Sequence, residues 1–155
     1  MPVTRRLLRQ DITYSSAKNK EINILHCLGY PGKETQFFNL LNSRRTWISA
    51  IVAHHLNLDS PDACHVADVG DWLHGSFKVC IPVTIVGSWK GKQQFGERVL
   101  LRLPLPYRVG EAFRPGNADE KVRCEACSYA WLKDNCSDIP IPHLYGFALS
   151  TNETV

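Results

Sequence analysis

The sequence predicts an α+β fold, in which an antiparallel sheet has one helix inserted after its third strand and follows an N-terminal helical extension. Three observations support this class. Apolar residues recur at intervals of three and four between residues 34 and 56, and the period changes to two after Cys64. Two alternating segments then precede a capped helix near Asn117. The length of 155 residues suits one domain.

The N-terminal part divides at the pair Pro31–Gly32, which favours a turn. Residues 1–32 lack sustained periodicity and are predicted to be an extension that need not be ordered, whereas residues 33–155 form the domain. A leading helix is predicted over residues 34–56. Its apolar stripe consists of Phe37, Leu40, Leu41, Ile48, Ile51, Val52 and Leu56.

The first two strands of the sheet are predicted before residue 86. The first ends near Asp71, and the second covers residues 77–85. The apolar face of the second strand consists of Phe77, Val79, Ile81, Val83 and Ile85. Pro82 favours a position near a sheet edge or a bulge, because proline lacks the N–H group that a ladder needs.

A third strand is predicted over residues 98–105, after a hairpin connection at residues 87–96. Its apolar face consists of Val99, Leu101, Leu103 and Leu105. Leu100 and Arg102 point to the opposite face, because side chains alternate along a strand.

A helix and a last strand complete the predicted domain. Asn117 and Glu120 have the spacing of a capping box, and Asp119 is an alternative cap. The apolar stripe of this helix consists of Val122, Ala126, Tyr129 and Ala130. Two prolines at residues 139–142 then impose an extended linker before a strand over residues 143–150.

This order of elements is typical of the small lobe of a kinase. Such a lobe covers nucleotide phosphates with a tight loop, pairs them with a strand cation and holds that cation with a helix acid. Gly75 and Ser76 lie in a predicted turn, although one glycine fits any turn. Arg102 and Glu125 supply the strand cation and the helix acid, although each alone would be an ordinary surface charge. We expect their side chains to lie within salt-bridge reach.

Several strings of the sequence carry a resemblance to a known family. They include Trp72-x-His74-Gly75-Ser76-Phe77, Arg102-x-Pro104-x-Pro106-Tyr107, Lys121-Val122-Arg123-Cys124-Glu125-Ala126 and Ile139-Pro140-Ile141-Pro142. Residues 37–152 thereby resemble the amino-terminal lobe of a fungal aminoglycoside phosphotransferase-like family, in the choline kinase and protein kinase-like superfamily. The resemblance implies part of an ATP-dependent transferase that phosphorylates a small molecule.

The resemblance also implies a set of nucleotide-binding residues. By position, Gly75 and Ser76 belong to the phosphate loop, Arg102 occupies the usual lysine position, and Glu125 is its helix partner. Leu100, which shares the strand face of Arg102, is included in the set.

The sequence departs from the family in three ways. Arginine replaces lysine at Arg102, and the planar guanidinium is bulkier and geometrically stricter than an ammonium group. Lys78 stands where a small polar residue is expected. The expected large lobe, which carries the base aspartate and the magnesium ligands of such kinases, is absent from this chain. No catalytic or metal-binding residue is therefore assigned, and the chain alone is expected to be catalytically incomplete.

Two alternatives concern function and metal binding. The chain could be a non-catalytic interaction module of pseudokinase type, tied to a fungal secondary-metabolite pathway. Either function leaves a lobe interface uncovered, which predicts self-association or a protein partner. Cys124, Cys127, Cys136 and His143 could supply four zinc ligands. The first two cysteines fall within a helix, however, and buried thiols are favoured there.

Composition narrows the partners and the compartment. A net charge of +3 suits an anionic ligand such as a nucleotide but is too small for a nucleic-acid binder. No apolar run approaches the about 18 residues of a membrane span. Without a secretory signal, the six cysteines are predicted to be reduced thiols of a cytoplasmic protein. The basic start of the chain is compatible with a mitochondrial presequence as a minor alternative.

Overall fold

The computed structural model describes residues 2–86, 88–89, 92–93 and 97–151. The chain divides into two compact units, Met1–Ser43 and Arg44–Val155. Among the residues described, no helix is both long and apolar enough to cross a membrane.

The first unit combines a small hairpin with three helices. Its elements are β1 (Thr4–Arg6), β2 (Asp11–Thr13), α1 (Tyr14–Ala17), α2 (Ile24–Leu28) and α3 (Tyr30–Ser43). The two strands pair antiparallel. Thr13 caps α1 by accepting a hydrogen bond from the Ser16 backbone N–H, and Asn23 caps α2 in the same manner. The two capped helices, α1 and α2, are too short to show an apolar period, which is why the sequence analysis predicts neither of them.

The single helix predicted over residues 34–56 is wrong. α3 ends at Ser43, and α4 (Arg45–Leu56) begins after Arg44, whose φ of −110° and ψ of 24° lie outside the helical range. The Ser43 hydroxyl donates a hydrogen bond to the Leu40 carbonyl at 2.8 Å. Serine favours such local bonds over regular helix, so the chain breaks where residues 42 and 43 are asparagine and serine.

The second unit is built on an antiparallel sheet, as predicted. After α4 and a 3₁₀ turn (Pro61–Ala63) come β3 (Cys64–Val66), a second 3₁₀ turn (Val69–Asp71), β4 (Leu73–His74), β5 (Lys78–Ile85), β6 (Ser88–Trp89), β7 (Lys92–Gln93), β8 (Glu97–Pro104), α5 (Pro106–Val109) and α6 (Asn117–Asn135). β8 pairs with the whole of β5, and β3 and β4 share the other side. β6 and β7 pair within the predicted hairpin connection, of which residues 87, 90–91 and 94–96 lie outside the described part.

Pro82 does not mark a sheet edge, because β5 is the central strand. The Pro82 carbonyl accepts a hydrogen bond from the Ala67 backbone N–H at 2.9 Å, just after β3 ends. In an antiparallel strand the N–H and C=O groups of one residue face the same neighbour. An N–H group at Pro82 would point to the gap between β3 and β4. Its absence therefore removes no hydrogen bond from the long β5–β8 ladder.

The two faces of the sheet differ in burial. The buried residues of β5 are Val79, Ile81, Val83 and Ile85, as predicted. Phe77, predicted on the same face, precedes the strand and is exposed. β8 also alternates as predicted, with Arg98, Leu100 and Arg102 on its exposed side. Because directly paired residues share a face, Arg102 lies opposite Cys80 and diagonal to Lys78.

α6 begins at Asn117, but the predicted capping box with Glu120 is wrong. The carboxylate of Glu111 instead accepts hydrogen bonds from the backbone N–H groups of Gly116 at 2.6 Å and Ala118 at 2.7 Å. A carboxylate at this end is also favoured by the helix dipole. The cap comes from the preceding turn, which a search for short cap motifs does not cover.

The final strand predicted over residues 143–150 is also wrong. Residues 140–147 have no regular secondary structure, and Ala148 alone has a bridge contact. The Ser150 backbone N–H donates to Asp119 Oδ1 at 3.0 Å, and its hydroxyl donates to Oδ2. Asp119, predicted as an alternative cap, thus holds this segment against the first turn of α6.

Candidate functional site

A cluster of charged side chains joins the sheet to α6. Glu125, in the middle of α6, lies 3.6 Å from Arg102 on β8, measured from Oε2 to Nη2. Its other oxygen, Oε1, lies 2.6 Å from Lys78 Nζ and 3.4 Å from Lys121 Nζ. The expected approach of Arg102 and Glu125 is confirmed, and two further cations share the same carboxylate.

The sequence predicted neither Lys78 nor Lys121 as a member of the cluster, and of the two Lys78 comes from the sheet. It is the first residue of β5 and shares a strand face with Cys80, the cross-strand neighbour of Arg102. Once this register is known, Lys78 and Arg102 are diagonal neighbours within reach of one helix residue. Only the alternation of β5 signals this placement in the sequence, because the register itself depends on non-local pairing.

The charges of the cluster keep Glu125 ionised. Burial raises the pKa of its carboxyl group, but the hydrogen bond and charge of Lys78 and the charge of Arg102 outweigh burial and hold the pKa below its ordinary value. The three cations exceed the single carboxylate by two charges. Since about a third of the Glu125 side chain is exposed, each ion pair adds little to stability by itself. The excess positive charge suits an anion.

Arg102 has a second partner on α6. Its Nη1 group donates a hydrogen bond to the Tyr129 hydroxyl at 2.9 Å. A guanidinium group carries five N–H donors in a planar fork, so these contacts orient Arg102 without using all of its donors. The side chain lines a cleft of the second unit.

That cleft has a volume of about 610 Å³. Apolar groups supply most of its walls, including Ile51 and Leu56 of α4 and Leu101 of β8. Arg102 and Leu100 line it together with residues 142–146 of the irregular segment. An adjoining cleft of about 400 Å³ shares Arg102 and Tyr129 and adds Glu125. A volume of this size with a few polar groups is typical of small-molecule sites.

The predicted phosphate turn is less closely tied to this cleft. The Gly75 backbone N–H donates to the Lys78 carbonyl at 3.0 Å, and the Ser76 carbonyl accepts from Arg108 Nε at 2.7 Å. A Cβ atom added at Gly75 would meet nothing within 4 Å, so the turn does not require glycine. Neither residue lines the two clefts. The structure brings together Leu100, Arg102 and Glu125 and leaves Gly75 and Ser76 outside.

The cysteines of α6 do not form the buried pair favoured from the sequence. Cys124 and Cys127 are both exposed, because the helix turns Val122 and Ala126 inwards instead. Within the described part of the chain, no three His, Cys, Asp or Glu side chains are grouped so that they could hold a metal ion.

Comparison of the chain with protein-family models, curated proteins and solved structures gave no match.

Proposed function

We propose that this chain is the N-terminal, nucleotide-binding part of an ATP-dependent small-molecule phosphotransferase of the aminoglycoside phosphotransferase-like kind. The contact between Arg102 and Glu125, 3.6 Å apart on a strand and on the following long helix, is the observation that carries the proposal. A strand cation held by a helix acid is the arrangement that positions nucleotide phosphates in kinases.

The residues around the contact fit a nucleotide. Leu100, Leu101 and Tyr145 provide apolar and aromatic surface for a planar base. Arg102 provides a planar fork of N–H groups, which pairs with two phosphate oxygens at once. An excess of two positive charges in the cluster favours the triphosphate. When bound, ATP would supply the phosphoryl group, and these residues would hold and orient it.

A second candidate is the non-catalytic interaction module. It is favoured by large apolar side chains on the surface of the second unit, above all Trp131, which is 59% exposed. Soluble proteins use such residues for contacts with partners. This candidate needs no nucleotide, so a binding measurement separates the two.

The proposal is tested by titrating the purified chain with ATP and magnesium in a calorimeter. We expect saturable binding, and Arg102→Met should weaken it at least tenfold, or about 1.4 kcal/mol, because a bidentate charged contact is lost. The affinity of Arg102→Lys should lie between those of the wild type and Arg102→Met. Lys133 is an exposed lysine in the last turn of α6. Lys133→Met is therefore the matched control and should bind as the wild type does. Failure of the wild type to bind would favour the interaction module.

A further inference from the structure

Two cations of the sheet compete for one carboxylate. Lys78 and Arg102 are diagonal neighbours on the same face of the β5–β8 ladder. Lys78 Nζ lies 2.6 Å from Glu125, within hydrogen-bond distance, whereas Arg102 Nη2 lies 3.6 Å away, beyond it. The primary partner of Glu125 is therefore the lysine of β5.

The two cations also differ in what surrounds them. The Lys78 side chain is 26% exposed and lines neither cleft. The Arg102 side chain is 36% exposed and lines both. Arg102 is thus placed where a ligand can reach it, while Lys78, among the described residues, pairs with Glu125 of α6.

We propose that Lys78 is a positioning residue, which neutralises Glu125 and leaves the guanidinium group of Arg102 available to an anion in the cleft. That the anion is a nucleotide rests on the function proposed above; the pairing of Lys78 with Glu125 does not.

The chemistry of the two cations supports this division of roles. An ammonium group is a compact charge that satisfies one carboxylate oxygen well, and Lys78 does so at Oε1. Arg102 donates to the uncharged Tyr129 hydroxyl, which orients it without cancelling its charge. If Lys78 were absent, the carboxylate would keep Lys121 at 3.4 Å but would lack its nearest partner, and it would draw Arg102 towards itself. An anion in the cleft would then have to compete with Glu125.

The pairing is tested first without any nucleotide. The pKa of the Glu125 side chain is measured by carbon-13 NMR in the wild type, Lys78→Met, Arg102→Met and the control Lys133→Met. We expect Lys78→Met to raise this pKa by more than Arg102→Met does, and the control to leave it unchanged. An equal or larger rise in Arg102→Met would overturn the proposal.

The consequence for Arg102 is tested with MgATP. Lys78→Met should bind it several-fold more weakly than the wild type, although Lys78 does not reach the cleft. Removing the competing charge as well, in Lys78→Met/Glu125→Gln, should make binding tighter than in Lys78→Met, because the glutamine oxygen can still hold Arg102 without neutralising it. A double variant as weak as Lys78→Met would overturn the proposal, because the lysine would then act by some route other than Glu125.

The two proposals fail in different ways. A wild type that does not bind MgATP, with the expected order of NMR shifts, would overturn the phosphotransferase function and support the pairing of Lys78. A wild type that binds, with the NMR order reversed, would overturn the role of Lys78 and support the nucleotide site. Circular dichroism spectra and melting curves of all variants establish that each is folded.

Discussion

Outside the charged cluster around Glu125, the pKa of His55 of α4 is shifted by its surroundings. His55 is partly buried, and its ring centroid lies 5.3 Å from that of His54. Burial is the larger of two causes that lower the pKa of His55 below its ordinary value of 6.5, and the charge of His54 is the smaller. His55 also lines the cleft that contains Arg102.

The depressed pKa of His55 predicts a loss of stability in mild acid. The unfolded chain binds a proton at higher pH than the folded chain does, so the contribution of His55 is complete above pH 6.5 and is lost as the pH falls through the folded pKa. We expect His55→Gln to flatten the fall in the free energy of unfolding between about pH 7 and pH 5. Urea unfolding at several pH values measures this.

His54→Gln is the matched control for the charge effect. It removes the neighbouring charge and keeps the burial of His55, so NMR titration should show the pKa of His55 moving part of the way back towards 6.5. An unchanged pKa would mean that burial alone causes the shift.

Whole elements depend on contacts from neighbouring turns, as the start of α6 illustrates. Glu111 accepts hydrogen bonds from two backbone N–H groups that the helix itself leaves unpaired. The same helix carries Glu125 and Tyr129 to the sheet. The hydrogen bonds of Glu111 to the start of α6 therefore help to hold Glu125 and Tyr129, which lie further along the same helix.

The Glu111 cap of α6 is expected to contribute to the stability of the folded chain. Glu111→Ala should lower the free energy of unfolding by about 1 kcal/mol, because it leaves two N–H groups without their acceptor. Glu120→Ala is the control, since Glu120 is a carboxylate in the first turn of α6 that accepts no backbone N–H from the described residues. Urea unfolding of the two variants measures the difference. Equal losses would show that the acceptor is not specific to Glu111.

Several large apolar side chains of the second unit are exposed, both in the irregular segment and towards the end of α6. Trp131 is 59% exposed, Leu144 41% and Tyr145 37%. The sequence analysis predicts an uncovered lobe interface, and these exposed side chains are compatible with it. Association through it remains a prediction, which follows from the tendency of such patches to find a partner.

We expect the purified chain to self-associate in a concentration-dependent manner. The Trp131→Lys and Leu144→Lys variants should reduce association, because each replaces an exposed apolar side chain with a charge that would be costly to bury. Leu25→Lys, at an exposed leucine of the first unit, is the control. Sedimentation velocity over a hundredfold range of concentration measures this. A wild type that stays monomeric throughout would contradict the prediction and favour a surface that needs no cover.

Features that depend on near neighbours along the chain can be predicted from the sequence alone. Alternation predicts the buried face of β5 and the exposed side of β8, because successive side chains of a strand point in opposite directions. A strand cation followed by a helix acid, interpreted as the arrangement of a kinase small lobe, predicts the approach of Arg102 and Glu125. These features need no knowledge of which strands pair.

The remaining features depend on how the chain folds in three dimensions. The register between β5 and β8 brings Lys78 beside Arg102, and the fold brings Ser150 to Asp119 where a strand was predicted. Gly75 and Ser76 were placed by motif alone, and the structure leaves them outside the cleft. Pairing, register and docking depend on contacts between distant parts of the chain, whose free energy is set by burial and geometry in three dimensions. A local pattern carries no record of them.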